Sequence, residues 1–331
     1  MKKRLKILIS LLAVTAIIGG CSAKPADETP VNGNNEPETQ NEEQAEENEI
    51  EEEAIEKIEV ATTINPIDQI VKIVGGDLVE TWRIVPEGAD GHNFEPTIKD
   101  MGKLTEVDFL FINGLEMEPW VDKAVENSGN SDLKIINLSE GVDLIHLDEV
   151  DDGHNHEEEE GHDHGEFDPH IWLSLESLVI MAENVKTELS EVRPEGAEIF
   201  ENNYNAFADE VNVLKEEYAE KFKEHEGKAF VTGHAAFGYM TRELGLVQKA
   251  IEGPFQEGEP TPKSLEELIN FVKEEGITTI FLEDNASPKV SETLARETGG
   301  KTVAMNPLEA SGNLLETMKE TYEKILSSFN E

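Results

Sequence analysis

Ile58-Glu59-Val60-Ala61-Thr62-Thr63-Ile64 runs directly into Asn65-Pro66-Ile67, and this junction decides the fold. The first seven residues are rich in β-branched side chains and free of breakers, which reads as a strand. Pro66 opens a helix with Ile67, Ile70, Val71 and Val74 on one face, and Gly75-Gly76 stops it. The same alternation continues outward. Val79 to Val85 reads as a strand, Thr97 to Val107 as a helix, Phe109 to Asn113 as a strand, Trp120 to Glu126 as a helix and Lys134 to Leu138 as a strand. Strands alternating with helices imply βαβ units and a mainly parallel sheet.

Beyond Leu138 the rhythm breaks. Residues 146–167 have no hydrophobic period, and His154, His156, His162 and His164 stand among aspartates and glutamates, the pattern of a surface loop. A helix from Leu173 to Val192 follows. Pro194 then opens a long helical stretch to about Glu226, with Ile199, Phe200, Tyr204, Phe207, Val211, Leu214 and Tyr218 on one stripe. A second series comes next. It has strands at 229–232, 247–251, 277–282 and 301–304, and helices at 234–244, 262–275, 289–298 and 314–329. The expected fold is α/β: two (βα)4-like lobes with central, mainly parallel sheets, joined by one long rigid helix. That helix should resist a wide hinge motion. The repeat is one of pattern, with no strong repeat of sequence.

Residues 1–20 read as a secretion signal: Lys2, Lys3, Arg4 and Lys6 precede an apolar run from Ile7 to Ile18 that is shorter than the roughly 20 residues of a membrane helix. The run ends in Ile18-Gly19-Gly20-Cys21, which resembles a bacterial lipobox, so Cys21 is expected to carry lipid. Cys21 is the single cysteine, which excludes an intrachain disulfide. From there to residue 57 the chain is acidic and almost without apolar residues, the composition of a disordered spacer. The expected organisation is therefore signal 1–20, lipidated linker 21–57, N-terminal lobe 58–193, connecting helix 194–226 and C-terminal lobe 227–331. The expected location is extracytoplasmic, anchored to the cell membrane by lipid.

The formal net charge of -45 argues against nucleic acid, whose phosphates need basic surface. It suits a protein that gathers cations. Imidazole is a common transition-metal ligand, and His92, His170 and His234 each stand at the end of a predicted element. Ligands of α/β sheets bind outside the carboxyl ends of strands, where at least two of these three fall. Taken singly, each histidine also fits a capping or packing role, and their spacing forms no local metal motif. His225, at the acidic end of the long helix, reads as exposed.

Several stretches occur together in one order: Gly88-Ala89-Asp90-Gly91-His92-Asn93-Phe94-Glu95-Pro96-Thr97, Asp168-Pro169-His170-Ile171-Trp172-Leu173 and His234-Ala235-Ala236-Phe237-Gly238-Tyr239, followed by Glu259-Pro260-Thr261-Pro262 and Phe281-Leu282-Glu283. From about Ile58 onward the chain resembles the metal-binding lipoproteins of bacterial ABC importers, the zinc and manganese solute-binding proteins of cluster A-I. The resemblance implies a metal held between two lobes, with His92 and His170 from the first and His234 from the second. Many members carry an aspartate before Pro-Leu as a fourth ligand. This chain has Asn306-Pro307-Leu308-Glu309, similar to streptococcal-type zinc members, which implies Glu309; Glu283 and water are the alternatives. Ser174 and Ala235 stand where many members have aspartate, which puts in doubt the hydrogen bonds behind the ligands.

Three imidazoles and a carboxylate suit tetrahedral Zn²⁺, whereas manganese favours more oxygen. The resemblance thus implies capture of Zn²⁺ as transported cargo, a permease and its ATPase as partners, and a monomer. His154, His156, His162 and His164 would serve as an auxiliary capture loop. A surface adhesin with structural metal, or a manganese importer component, is the alternative. A hydrolase is disfavoured, since no His-Glu-x-x-His or nucleophile elbow occurs.

Overall fold

A computed structural model describes residues 56–147, 165–256, 260–283 and 288–330, all within one compact unit, Ala54–Glu331. Cys21 and the histidines at 154, 156, 162 and 164 lie outside the described residues. Among the described residues no helix is long and apolar enough to cross a membrane.

The junction at residue 64 behaves as its sequence demands. β1 (Ile58–Thr62) gives way to α1 (Asn65–Gly75), which has proline in its first turn and buries Ile67, Ile70, Val71 and Val74. Gly76 ends the helix at φ 53°, a conformation that costs glycine little, and its N–H caps Lys72 O. β2 (Val79–Arg83), β3 (Phe109–Ile112) and β4 (Lys134–Asn137) complete a four-stranded sheet of order β2-β1-β3-β4. Every pairing is parallel, with Ile58 opposite Val79, Val60 opposite Phe109 and Phe109 opposite Lys134. Of the two central strands, β3 is a continuous apolar run, whereas β1 is buried except for Glu59 near its start. At the edge, Lys134 and Ile135 of β4 are exposed.

Two short helices lie in the connections between these strands. α2 (Ile98–Lys103) is shorter than the stretch expected from Thr97 to Val107. A Thr97–Asp100 capping box starts it, but Ile98 is 88% exposed and only Leu104 and Val107 beyond it are buried, too little apolar face to carry the helix on. α3 (Val121–Ser128) stops at Gly129 in the left-handed region. After the segment 148–164, a 3-10 turn over Ile171–Leu173 leads into α4 (Leu175–Val192).

α5 (Ala197–Phe222) is the long connector; its 26 residues span about 39 Å. Phe200, Phe207, Val211, Leu214 and Tyr218 are buried along it, whereas Ile199, expected on the same stripe, is 45% exposed. His225, expected in solvent, is half-buried with its ring 5.3 Å from Phe329 and 6.5 Å from Phe222. The helix ends against the C-terminal residues, which the periodicity of a single helix does not reveal.

The second sheet repeats the topology of the first. β5 (Ala229–His234), β6 (Val247–Glu252), β7 (Thr279–Glu283) and β8 (Lys301–Met305) pair in the order β6-β5-β7-β8, again all parallel. α6 (Gly238–Leu244), α7 (Pro262–Glu275), α8 (Pro288–Thr298) and α9 (Leu314–Ser328) pack around it. Both sheets are therefore wholly parallel. A single hydrophobic core runs through both lobes, from Val60 and Phe111 through Trp172 and Tyr218 to Phe281 and Tyr322. A smaller cluster around Val231, Ile280 and Leu294 serves the second lobe alone. Such continuity opposes a wide separation of the lobes.

Candidate metal site

His92, His170, His234 and Glu309 meet between the two sheets. His92 lies in the loop after β2, and Asp90 Oδ1 accepts its backbone N–H at 2.9 Å. His170 precedes the 3-10 turn before α4. His234 is the last residue of β5, not the first of a helix as its spacing suggested. Glu309 follows β8. His170, His234 and Glu309 are buried, and the side chain of His92 is only 3% exposed.

One ligand-type atom from each residue lies within 4.8 Å of the other three. His92 Nε2 and His170 Nε2 are 3.3 Å apart. Glu309 Oε1 stands 3.5 Å from His234 Nε2, 3.6 Å from His170 Nε2 and 3.8 Å from His92 Nε2. Zinc bonds of about 2.0–2.2 Å in a tetrahedron give ligand-to-ligand edges of roughly 3.3–3.6 Å. These four separations match that edge to within a few tenths of an ångström. Nε2 of His234, which faces the centre, has no hydrogen-bond partner among the described residues. A buried polar atom in that state is costly unless something else occupies the space it faces.

Electrostatics favour a cation at the centre. Burial pushes the Glu309 carboxyl up, but contacts with His170, His234 and His92 outweigh it and hold the group well below the usual range. Burial likewise pushes His170 down, yet Asp168 and Glu309 raise it to about 9. The buried Glu309 carboxylate, facing all three rings, supplies negative charge at the centre.

Asp168 is the group behind His170. Its Oδ1 accepts both the backbone N–H of His170 at 2.9 Å and the ring Nδ1–H at 2.8 Å, which turns Nε2 toward the centre. The second lobe reaches the same aspartate: Tyr239 Oη donates to Asp168 O at 2.8 Å. A Cβ on Gly238 would meet Asp168 Oδ2 at 2.6 Å, so only glycine lets α6 come this close. Asn113 Nδ2 donates to Pro169 O at 2.9 Å. Asn113 is itself fixed by Glu118, whose carboxylate accepts the N–H groups of Asn113 and Gly114 and which burial pushes up to about 7. The sequence motif contained Asp168, but the role of this aspartate was missed; the spacing Asp-Pro-His, with proline stiffening the link, was the available signal.

Glu283 takes a different position from Glu309. Its Oε1 is 3.8 Å from His234 Nδ1, the ring nitrogen turned away from the centre, and its Oε2 accepts Gly233 N–H. Burial pushes it up to about 7. It stands behind His234 rather than beside the other three donors. Asn306 points elsewhere too: Oδ1 accepts Leu308 N–H at 2.7 Å and Nδ2 donates to Ser311 O, which makes it a turn former. Ser174 caps α4 at Ser177 N–H and bonds Glu243, so α6 brings a carboxylate to the helix start. Ala235 leaves His234 with no aspartate of its own, and the Glu283 carboxylate stands 3.8 Å from its Nδ1.

Comparison with known proteins agrees with this architecture. The zinc-binding lipoprotein AdcA of Streptococcus pneumoniae serotype 4 is 35% identical over 254 residues, which cover 77% of this chain and 50% of AdcA. The chain thus spans about half the length of the curated AdcA relatives it matches. The crystal structure of AdcAII from Streptococcus pneumoniae superposes with a TM-score of 0.73 at 31% identity, covering 83% of this chain and all of that one. The laminin-binding protein of Streptococcus agalactiae, described as bifunctional with adhesin and metal-transporting activity, superposes at 0.72 with 31% identity, covering 82% of this chain and 99% of that one. The family model for zinc-uptake complex component A, periplasmic, matches residues 60–328, a span holding all but the first two residues of the two sheets and all four converging side chains, and the chain belongs to that family.

Proposed function

We propose that this protein is the extracytoplasmic zinc-binding component of an ABC importer. Zn²⁺ is captured between the lobes by His92, His170, His234 and Glu309 and handed to a membrane permease driven by an ATPase. The observation that carries this reading is the cluster itself: three imidazoles and one carboxylate at tetrahedral spacing, drawn from both lobes. Three nitrogen donors favour zinc over manganese, which prefers an oxygen-rich shell. Four protein donors also leave no open position for a reacting water, which supports carriage over catalysis. Lipid on Cys21 would tether the body, as a monomer, to the outer face of the membrane. The histidines between 148 and 164 would gather metal for the buried site.

Uptake of radioactive zinc by cells lacking this gene tests the reading. The expected result is that the intact gene restores uptake in zinc-poor medium and a His170→Ala copy does not. Restoration by both copies would overturn it. Matrix binding that persists in the His170→Ala protein, with uptake unchanged by the deletion, would favour the adhesin.

A further inference from the structure

Glu309 belongs by sequence to the second lobe, yet the loop that carries it is clamped by the first. Asn65, the first residue of α1 and 6% exposed, is the centre of the clamp. Its backbone N–H donates to Glu309 O at 3.1 Å. Its Nδ2 donates to Leu308 O at 3.0 Å and Gly312 O at 3.1 Å. Its Oδ1 accepts from Arg83 Nη1 at 2.7 Å. Guanidinium can only donate, so Arg83 settles which way the amide faces and leaves both amide hydrogens for the loop.

Neighbours extend the clamp. Gln69 Nε2 donates to Gly312 O at 2.6 Å and Gln69 Oε1 accepts Leu314 N–H at 2.9 Å. Trp172 Nε1 donates to Pro307 O at 2.8 Å. Between these bonds Leu308 sits at φ 70°, a region leucine rarely enters, while 1% exposed. Such a conformation persists only where its surroundings over-determine it. The carbonyls of Leu308 and Glu309, which flank the Glu309 Cα, are both held by one residue, Asn65, and this aims the Glu309 side chain at the three imidazoles.

We propose that Asn65 is a positioning residue for the metal site: through Leu308 and Glu309 it sets the carboxylate, so three of the four donors are placed by the first lobe. This rests on the reading of Glu309 as a ligand. Glu309 then stays aligned with His92 and His170 whatever small motion releases His234.

The test is a competition titration of zinc against a chromophoric chelator on the full metal-stripped chain: unmodified, Asn65→Ala, Glu309→Ala and the double variant. Replacing a group behind a ligand typically costs 10–100-fold in metal affinity, and Asn65→Ala is expected to lose about that much. In the Glu309→Ala background it is expected to cost less than about twofold, because there is no carboxylate left to aim. Visible bands of the cobalt-loaded Asn65→Ala protein should move toward those of Glu309→Ala. Equal losses in both backgrounds would overturn the proposal, leaving Asn65 a general structural residue. If Glu309→Ala alone leaves zinc affinity unchanged, the ligand assignment fails first, and this proposal with it. Should Asn65→Ala not fold, Arg83→Met frees the amide to turn and must show the same dependence on Glu309.

Discussion

Replacing His170 by alanine is expected to lower zinc affinity by two to three orders of magnitude. Tetrahedral protein sites for zinc are worth about 10–16 kcal/mol, so one of four ligands carries roughly 2.5–4 kcal/mol. Of the four proposed ligands, His170 has most to lose. It is fully buried, Asp168 orients it from behind, and Nε2 stands within 3.3 Å of His92 Nε2 and 3.6 Å of Glu309 Oε1. Its removal also strands the Asp168 carboxylate, buried at 3% exposure, without the ring it served. Calorimetric titration of zinc into the metal-stripped variant measures the loss. His225→Ala is the control, since that imidazole packs against Phe222 and Phe329 and is not among the converging donors. An affinity unchanged in His170→Ala would refute the site.

Trp172→Ala should produce the largest loss of stability, about 3–5 kcal/mol in denaturant unfolding of the metal-free protein. Trp172 is fully buried, its ring lies 5.2 Å from that of His170, and it belongs to the core shared by both lobes. Its truncation leaves a cavity at the point where the lobes join. Trp172→Phe keeps most of the volume but loses the bond to Pro307 O, and should cost roughly 1–3 kcal/mol for the stranded carbonyl. A loss below 1 kcal/mol for the alanine variant would mean the lobes are not held through this residue.

The strands were legible because parallel strands buried on both faces leave apolar runs, as Phe109–Ile112 and residues 280–282 do. Pro66, Pro262 and Gly76 marked helix ends through backbone chemistry that tertiary contacts rarely override. The three histidines were legible from their motifs and their places at element ends. Other features needed the third dimension. Glu283 and Glu309 each follow or end a strand of one sheet, and only the folded chain turns Glu283 to the far nitrogen of His234. Asn65 and Leu308 are 243 positions apart, so no local pattern joins them. The short α2 and the half-buried His225 were misread for a related reason. In each, burial is decided by a neighbour that the periodicity of the segment does not contain.

X-ray absorption at the zinc edge of the zinc-loaded chain tests the central claim most directly. Four light-atom neighbours at about 2.0–2.2 Å, with imidazole outer-shell scattering for three rings, are predicted, and that scattering should fall to two rings in His234→Ala. A six-coordinate shell, a ring count of two in the unmodified protein, or a spectrum untouched by His234→Ala would contradict the account.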